Sequence, residues 1–225
     1  MASYKSLRPL VKSCAGWPPS AASRWFSNSV DPMVAPASFA RNEEIFGEGE
    51  PVKYIFKIES GCVRTCTTLN DGRRQIGAFY VAGDYFGLEA VNIHNSTAEA
   101  VTPSKIRALN RSTRMSGSAD DIVTIKHLLN LTGMELERTQ RHNLIFLKSA
   151  RERVVSFLIE MTERLHEKND FNLPMGRQDI ADYLGLTIET VSRMLKQLEC
   201  GAMISVPTNR RIVLNNLPAL NHMIA

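Results

Sequence analysis

No uninterrupted apolar run in the 225 residues approaches the ~20 needed to cross a bilayer. Basic residues are scattered near the N-terminus (Lys5, Arg8, Lys12, Arg24), but the apolar core of a signal peptide is missing. Four cysteines, Cys14, Cys62, Cys66 and Cys200, are too few for a disulfide framework in a chain this long, which fits a reducing cytoplasm. A Gly-rich phosphate loop, HExxH, GxSxG and a closely spaced acid–base pair are all lacking, which argues against an enzyme. Charge of one sign is lacking too. The net charge of +4 mildly favours an anionic partner, but it equally describes an ordinary, slightly basic protein. What is present is enough apolar residue, 44%, for a packed core.

The order of patterns along the chain predicts an α+β protein in four parts. Residues 1–37 are rich in Ser, Ala and Pro and hold no period of 2 or 3.6, so they read as an irregular arm. Trp17, Trp25 and Phe26 either cover an apolar patch on the neighbouring domain or stay exposed. Residues 38–117 carry strand signals. Val52 to Ile58 and Cys62 to Leu69 are β-rich, Ser60-Gly61 turns between them, and Asn70-Asp71-Gly72-Arg73 is a hairpin turn returning into Gln75 to Tyr80. Short strands through Ile106 to Leu109 complete a compact antiparallel roll, of the jelly-roll kind.

Residues 118–148 read as one long helix, capped by Ser118 and roughly 40 Å long. A 3-4 spacing picks out Ile122, Ile125, Leu129, Thr132, Leu136, Thr139, Asn143 and Phe146. The apolar five (Ile122, Ile125, Leu129, Leu136, Phe146) form a moderate coiled-coil seam, on which two copies would pair. The other arrangement is a helix packed on its own roll. Residues 149–225 begin with a helix over 150–167, with Val154, Val155, Phe157, Leu158, Met161 and Leu165 on its apolar face. They end in a hairpin over 204–214 with Arg210 and Arg211 at its tip, and a short tail from Leu217.

Between these lies Arg177 to Lys196, RQDIADYLGLTIETVSRMLK. Ile180, Ala181, Leu184, Gly185, Leu186, Val191 and Met194 have helix-turn-helix spacing. Ala181 is small where the helices approach, Gly185 permits the turn, and Thr187 is placed to cap the second helix. At about 100° per residue Glu189, Ser192, Arg193 and Lys196 share one arc, opposite the apolar Val191, Met194, Leu195 and Leu198. Arginine can give two bonds to guanine and a carboxylate can accept from cytosine N4. Glu189, Ser192 and Arg193 are therefore the candidate base readers, with Glu189 also in reach of Arg193 to orient it. Thr187, Thr190, Lys196, Arg210, Arg211 and Arg177 are the candidate phosphate contacts. Taken alone, Glu189 and Arg193 would be an ordinary surface pair. From Phe171 onward five basic residues face four acidic ones, so binding must rest on placed contacts and not on bulk charge.

At Asp179 to Arg193, DIADYLGLTIETVSR, the chain resembles the CRP/FNR family of bacterial transcription regulators, and within it the FixK-like branch. The Ser60-Gly61, Ala82-Gly83-Asp84 and Phe86-Gly87 turns resemble the family's β-roll. Over about 38–215 the resemblance implies a homodimer paired through the long helix and a winged helix-turn-helix. Glu189, Ser192 and Arg193 match the branch pattern Glu-x-x-Ser-Arg, which implies half-sites of the TTGAT type in an inverted repeat about one helical turn apart. It further implies activation by contact with RNA polymerase, with Gly87 and Glu89 in a candidate contact turn.

Departures from the family pattern set the cofactor expectation at none. The arm holds Cys14 alone, which does not support a four-thiolate iron–sulfur cluster. Cys62 and Cys66, about 13 Å apart on one strand face, are too far apart to share a metal, so no metal site is expected. Ser96-Thr97-Ala98-Glu99 stands where cyclic-nucleotide binders carry an arginine for the phosphate. The sequence supports two readings of function. One is a ligand-independent homodimeric DNA-binding activator in the cytoplasm. The other is a small-molecule or haem sensor whose roll gates DNA binding, with His94 a lone candidate haem ligand.

Overall fold

The computed structural model describes residues 36–111 and 119–224. The expected arm through residue 35, with Cys14 and its aromatics, and the Ser118 cap lie outside the described residues, while Ala37 at the arm's expected end opens the first strand.

Eight strands come first: β1 (Ala37–Phe39), β2 (Glu44–Phe46), β3 (Tyr54–Ser60), β4 (Cys62–Thr68), β5 (Arg74–Val81), β6 (Tyr85–Phe86), β7 (Thr97–Ala100) and β8 (Ser104–Asn110). They form two four-stranded antiparallel sheets, ordered β1-β8-β3-β6 and β2-β7-β4-β5. Facing rows, with Phe39, Phe46, Phe56, Val63, Tyr80, Phe86 and Ile106 among them, bury the roll's core. The turn between β3 and β4 carries the chain from one sheet to the other. Gly61 takes φ +95° there, and a Cβ would run into Ser104 and sit 2.7 Å from the Pro103 carbonyl, so only glycine fits. The Asp71-Gly72 turn closes β4 onto β5 as the sequence predicts, with Gly72 at φ +82° and Asp71 accepting from the Arg73 amide at 3.0 Å.

The β4–β5 ladder shifts register between Thr65↔Ala78 and Cys66↔Ile76, leaving Gly77 as an extra residue. A one-residue bulge reverses which side chains share a face. Arg74 and Ile76 therefore point the same way as Phe79 and Val81, out of the roll. Cys62, Arg64 and Cys66 of β4 join them. This outer row is buried as well, because Cys62, Cys66, Ile76, Phe79 and Val81 belong to the core of the C-terminal helices.

Helix α1 (Ala119–Ile145) has 27 residues, close to the predicted length. It ends before 148 because the amides of Phe146, Leu147 and Lys148 bond carbonyls three residues back, tightening the chain into a turn. Ser149 then caps α2 (Ala150–Arg164) in a reciprocal box with Glu152. Leu129 and Leu136 of the expected seam are exposed, at 72% and 58%, and the backbone of Ile122 and Ile125 is helical. Phe146, the last residue of the expected seam, is 38% exposed and lies one residue past the helix end, with the Arg153 guanidinium 5.6 Å from its ring and Gly185 beside it. Leu144 and Leu147, absent from the expected seam, are exposed at 58% and 83%.

The C-terminal part holds β9 (Asp170–Asn172), α3 (Arg177–Leu184), α4 (Ile188–Cys200), β10 (Ile204–Ser205), β11 (Arg211–Leu214) and α5 (Leu217–His222). The wing is a three-stranded sheet, β10-β11-β9, where the sequence predicts a hairpin. Asp-Phe-Asn offers one apolar residue and gives no strand signal, and only pairing with β11 makes it one. Pro218, at the start of the expected tail, sits in the first turn of α5, where its missing N–H costs nothing, and Asn216 caps that turn.

Candidate nucleic-acid interface

Two helices and a tight turn build this face. α3 ends on Gly185, at φ 62° and ψ 41°, the left-handed conformation that glycine adopts freely. The Leu186 amide returns to the Ala181 carbonyl at 3.0 Å, and Ala181 is fully buried where α3 meets α4. Thr187 caps α4 as its position predicts, its hydroxyl accepting from the Thr190 amide at 3.3 Å and donating to the Thr190 hydroxyl at 3.2 Å. Val191, Met194, Leu195 and Leu198 are buried, so α4 is anchored by one face and free on the other.

Glu189, Arg193 and Lys196 are exposed on that free face. Among the described residues no ion pair joins Glu189 to Arg193, contrary to expectation. Glu189 sits in the first turn of α4, where its own backbone amide and then the Thr187 hydroxyl hold its carboxylate below the usual range. The helix start thus outcompetes a pairing one turn on, and leaves Arg193 without a partner among the described residues. Ser192 is half-buried and accepts from Arg177 Nη1 at 3.2 Å. The predicted phosphate contact Arg177 is thereby laid across α3 and α4, with its Nε buried and unpartnered.

The remaining cations on this face are held. Lys196 is 3.0 Å from Glu199, and the Glu199 carboxylate is kept low by that lysine and by the Val206 amide. In the wing, Arg211 donates through Nε and Nη2 to both Asp170 oxygens, at 2.9 and 2.6 Å. Asp170 is accordingly held below the ordinary carboxylate range. Arg210 is half-buried and donates to the Pro174 carbonyl at 3.0 Å, tying the wing to the segment before α3. Asp170 and Glu199 carry no sequence signal that would assign them to the face. Strand β9 is what brings Asp170 there.

The roll turns out to be tightly filled. Phe46 stacks on His94 at 3.6 Å and 11°, and Phe46, Phe56, Phe86 and Tyr80 continue the contact. His94, the lone candidate haem ligand, is buried, with Nδ1 3.1 Å from Glu89 Oε1, so it is a partnered core residue. Burial works against the charged Glu89 carboxylate, but the His94 bond and its own amide hold it below the usual range. The polymerase contact expected at Gly87 and Glu89 is not built by these side chains. Gly87 is buried at φ +76° against Phe56, and Glu89 turns inward to His94. Glu99, in the stretch where a phosphate-binding arginine would stand, accepts from Arg64 at 2.6 Å. Cys62 and Cys66 occupy ordinary strand positions, and burial pushes their thiols up to about 12 and about 11.

Residues 36–115 match the family model for a cyclic nucleotide-binding domain, and residues 152–223 match that for a Crp-like helix-turn-helix domain. The nitrogen fixation regulation protein FixK of Azorhizobium caulinodans is 42% identical over 200 residues, covering 86% of this chain and 81% of that one. FixK of Rhizobium meliloti is 36% identical over 196 residues, covering 85% and 90%. The solved structure of FixK2 from Bradyrhizobium japonicum superposes with a TM-score of 0.80 at 42% identity, over 85% of this chain and 98% of that one. With a roll, a long helix and a winged helix-turn-helix in the same order, the chain belongs to the CRP/FNR family of transcription regulators, in its FixK-like branch, and is a DNA-binding regulator and not an enzyme.

Proposed function

We propose that the chain works as a homodimeric transcription activator in the cytoplasm that reads a TTGAT-type inverted repeat and contacts RNA polymerase. We further propose that it needs neither a cyclic nucleotide nor an iron–sulfur cluster. The observation that carries the base-reading part is the free face of α4. Arg193 stands exposed, unengaged among the described residues, one turn from exposed Glu189, with Ser192 fixed between them by Arg177. An arginine and a carboxylate so spaced suit a guanine and a neighbouring cytosine in one half-site.

The ligand-independent part draws support from the roll. A bound cyclic nucleotide needs room and a cation for its phosphate. Aromatic rings and His94 occupy the interior, and the buried Glu89 carboxylate, with Oε2 unpartnered, adds negative charge there. These residues do not fit an anionic ligand. The cytoplasmic reading draws on the DNA target and on the described residues, none of whose helices is long and apolar enough to cross a membrane.

A gel-shift titration tests the proposal. The purified protein should prefer a TTGAT-type inverted repeat over scrambled DNA, and added cyclic AMP should leave the curve unchanged. Equal binding to both duplexes would refute base reading. A shift on cyclic AMP would refute ligand independence.

A further inference from the structure

The DNA face leaves Asp179 and Asp182, two acidic residues of the helix-turn-helix, without a task. Both lie on α3 and point away from α4, toward the outer row of the β4–β5 sheet. Arg74 Nη2 donates to Asp179 Oδ1 and to Asp182 Oδ2, each at 2.7 Å, and Arg74 Nε donates to Asp182 Oδ2 at 2.9 Å. Arg64 Nη1 donates to Asp179 Oδ1 at 3.0 Å, and its Nη2 to Glu99 Oε2 at 2.6 Å. Arg64 and Asp179 are only 6% and 8% exposed. Two guanidiniums and three carboxylates thus interlock between the roll and the first helix of the reading head. Alternation along β4 and the Gly77 bulge are what bring Arg64 and Arg74 to one face.

Apolar packing alone would hold the two parts together. Phe79 of β5 sits 6.3 Å from Phe157 of α2 and 5.2 Å from Tyr183 of α3, and the C-terminal core continues behind them. Such contacts favour burial but tolerate sliding and rotation. Bonds between guanidinium and carboxylate have direction, and a buried carboxylate displaced from its partner is costly. Arg164 at the end of α2 adds a second directional tie, to Asp84 Oδ2 and the Phe79 carbonyl at 2.6 Å each, and the charge cluster on α3 with it selects one docking angle among those the apolar surface allows. α3 packs on α4 through buried Ile180, Ala181 and Leu184, so a fixed α3 fixes the recognition helix.

We propose that Arg64 and Arg74 are positioning residues for DNA reading: by gripping Asp179 and Asp182 they set the angle at which each roll carries its recognition helix, and so the half-site spacing that a paired molecule accepts. This rests on the paired-head reading above. Neither arginine belongs to the DNA face. Their effect passes through α3.

The full-length chain is the material for the test. Wild type, Arg74→Gln, Asp182→Asn, Arg74→Gln/Asp182→Asn and Arg64→Gln/Arg74→Gln are titrated against the inverted repeat and against versions with one base pair added to or removed from the spacer. Wild type should prefer its own spacer by tenfold or more. Arg64→Gln/Arg74→Gln should lose at least fivefold of that preference while keeping the wild-type salt slope, because no phosphate contact is removed. Arg74→Gln/Asp182→Asn should be no worse than Arg74→Gln alone, since losing Arg74 already releases Asp182 together with its bond to Asp179. Arg74 is partly exposed, so the Arg74→Gln protein should fold even if the double arginine variant does not.

A folded Arg74→Gln or double variant with unchanged spacer preference overturns the proposal. So does tighter binding, which would make the cluster a restraint, and so does a shallower salt slope, which would make the arginines phosphate contacts. Hydrogen exchange without DNA separates this from the reading beneath it. Amides of 177–184 should exchange at least tenfold faster in Arg64→Gln/Arg74→Gln, or faster in Arg74→Gln if the double variant does not fold. Unchanged exchange overturns the grip. A wild type indifferent to the inverted repeat overturns the paired-head reading, and the proposal with it.

Discussion

Arg193 and Arg211 lie on the same face but would come to DNA differently. Among the described residues Arg193 stands unengaged on α4, whereas Arg211 already holds both oxygens of Asp170. Replacing Arg193 with alanine should cost about 1–3 kcal/mol at the specific site and relax selectivity at the base it reads. The check is a titration against a panel of single-base variants of the half-site; an equal loss on random DNA would mean phosphate contact. Arg211 can bridge to a phosphate only by releasing Asp170 or sharing with it. Asp170→Asn should therefore tighten binding to all sequences alike, and only slightly, because an exposed pair is well screened by solvent. Weaker binding in Asp170→Asn would show that the carboxylate orients Arg211 for DNA and does not compete with it.

At the scale of elements, what could be read in the sequence is what short-range chemistry decides. Gly185, Thr187 and the 3.6-residue period define α3, the turn and α4 within one short stretch, Arg177 to Cys200, and Asp71-Gly72 defines the β4–β5 hairpin in the same way. β1, β2 and β9, three residues each, carry no pattern of their own and exist because distant strands pair with them. The same distance in sequence hides Asp170 from Arg211, and Asp179 from Arg64. Phe146 keeps the seam's period but falls one residue past the helix end, and the Arg153 contact beside it could be seen only in the fold.

His142 lies at that joint between α1 and the reading head. It meets Tyr183 edge-on at 4.1 Å, with Nδ1 buried and unpartnered, and burial pushes its imidazole down to about 4 from 6.5. Above pH 6.5 the ring is neutral whether folded or unfolded and contributes no pH dependence. Between 6.5 and about 4 the unfolded chain takes up a proton that the folded chain refuses, so stability falls as pH falls. The loss should reach on the order of 2–3 kcal/mol near the lower end. His142→Phe keeps the ring contact and should flatten that part of the profile. Denaturant midpoints measured for both proteins across the window would decide it, and parallel profiles would be the adverse result.

On the scale of the whole molecule, the reading head is nearly neutral, and it carries two acidic residues that serve the roll and not the DNA. A single head has little electrostatic affinity to draw on. Useful binding then requires two heads whose second contact is effectively intramolecular, and the surface that would join them is the exposed leucine line of α1. Leu129 and Leu136 lie seven residues apart on that helix, and none of the described residues covers them. Leu129→Asp/Leu136→Asp would put four charges into such a seam while leaving the roll and the head untouched. The variant should sediment as a monomer with unchanged circular dichroism. It should lose about 10²- to 10⁴-fold in affinity for the inverted repeat, the usual range for losing a linked second site. Its affinity for an isolated half-site should match wild type, because each head keeps Glu189, Ser192 and Arg193 in place. A variant that stays dimeric would move the seam elsewhere, to Leu144 and Leu147. A monomer that keeps full affinity for the repeat would remove the need for pairing altogether.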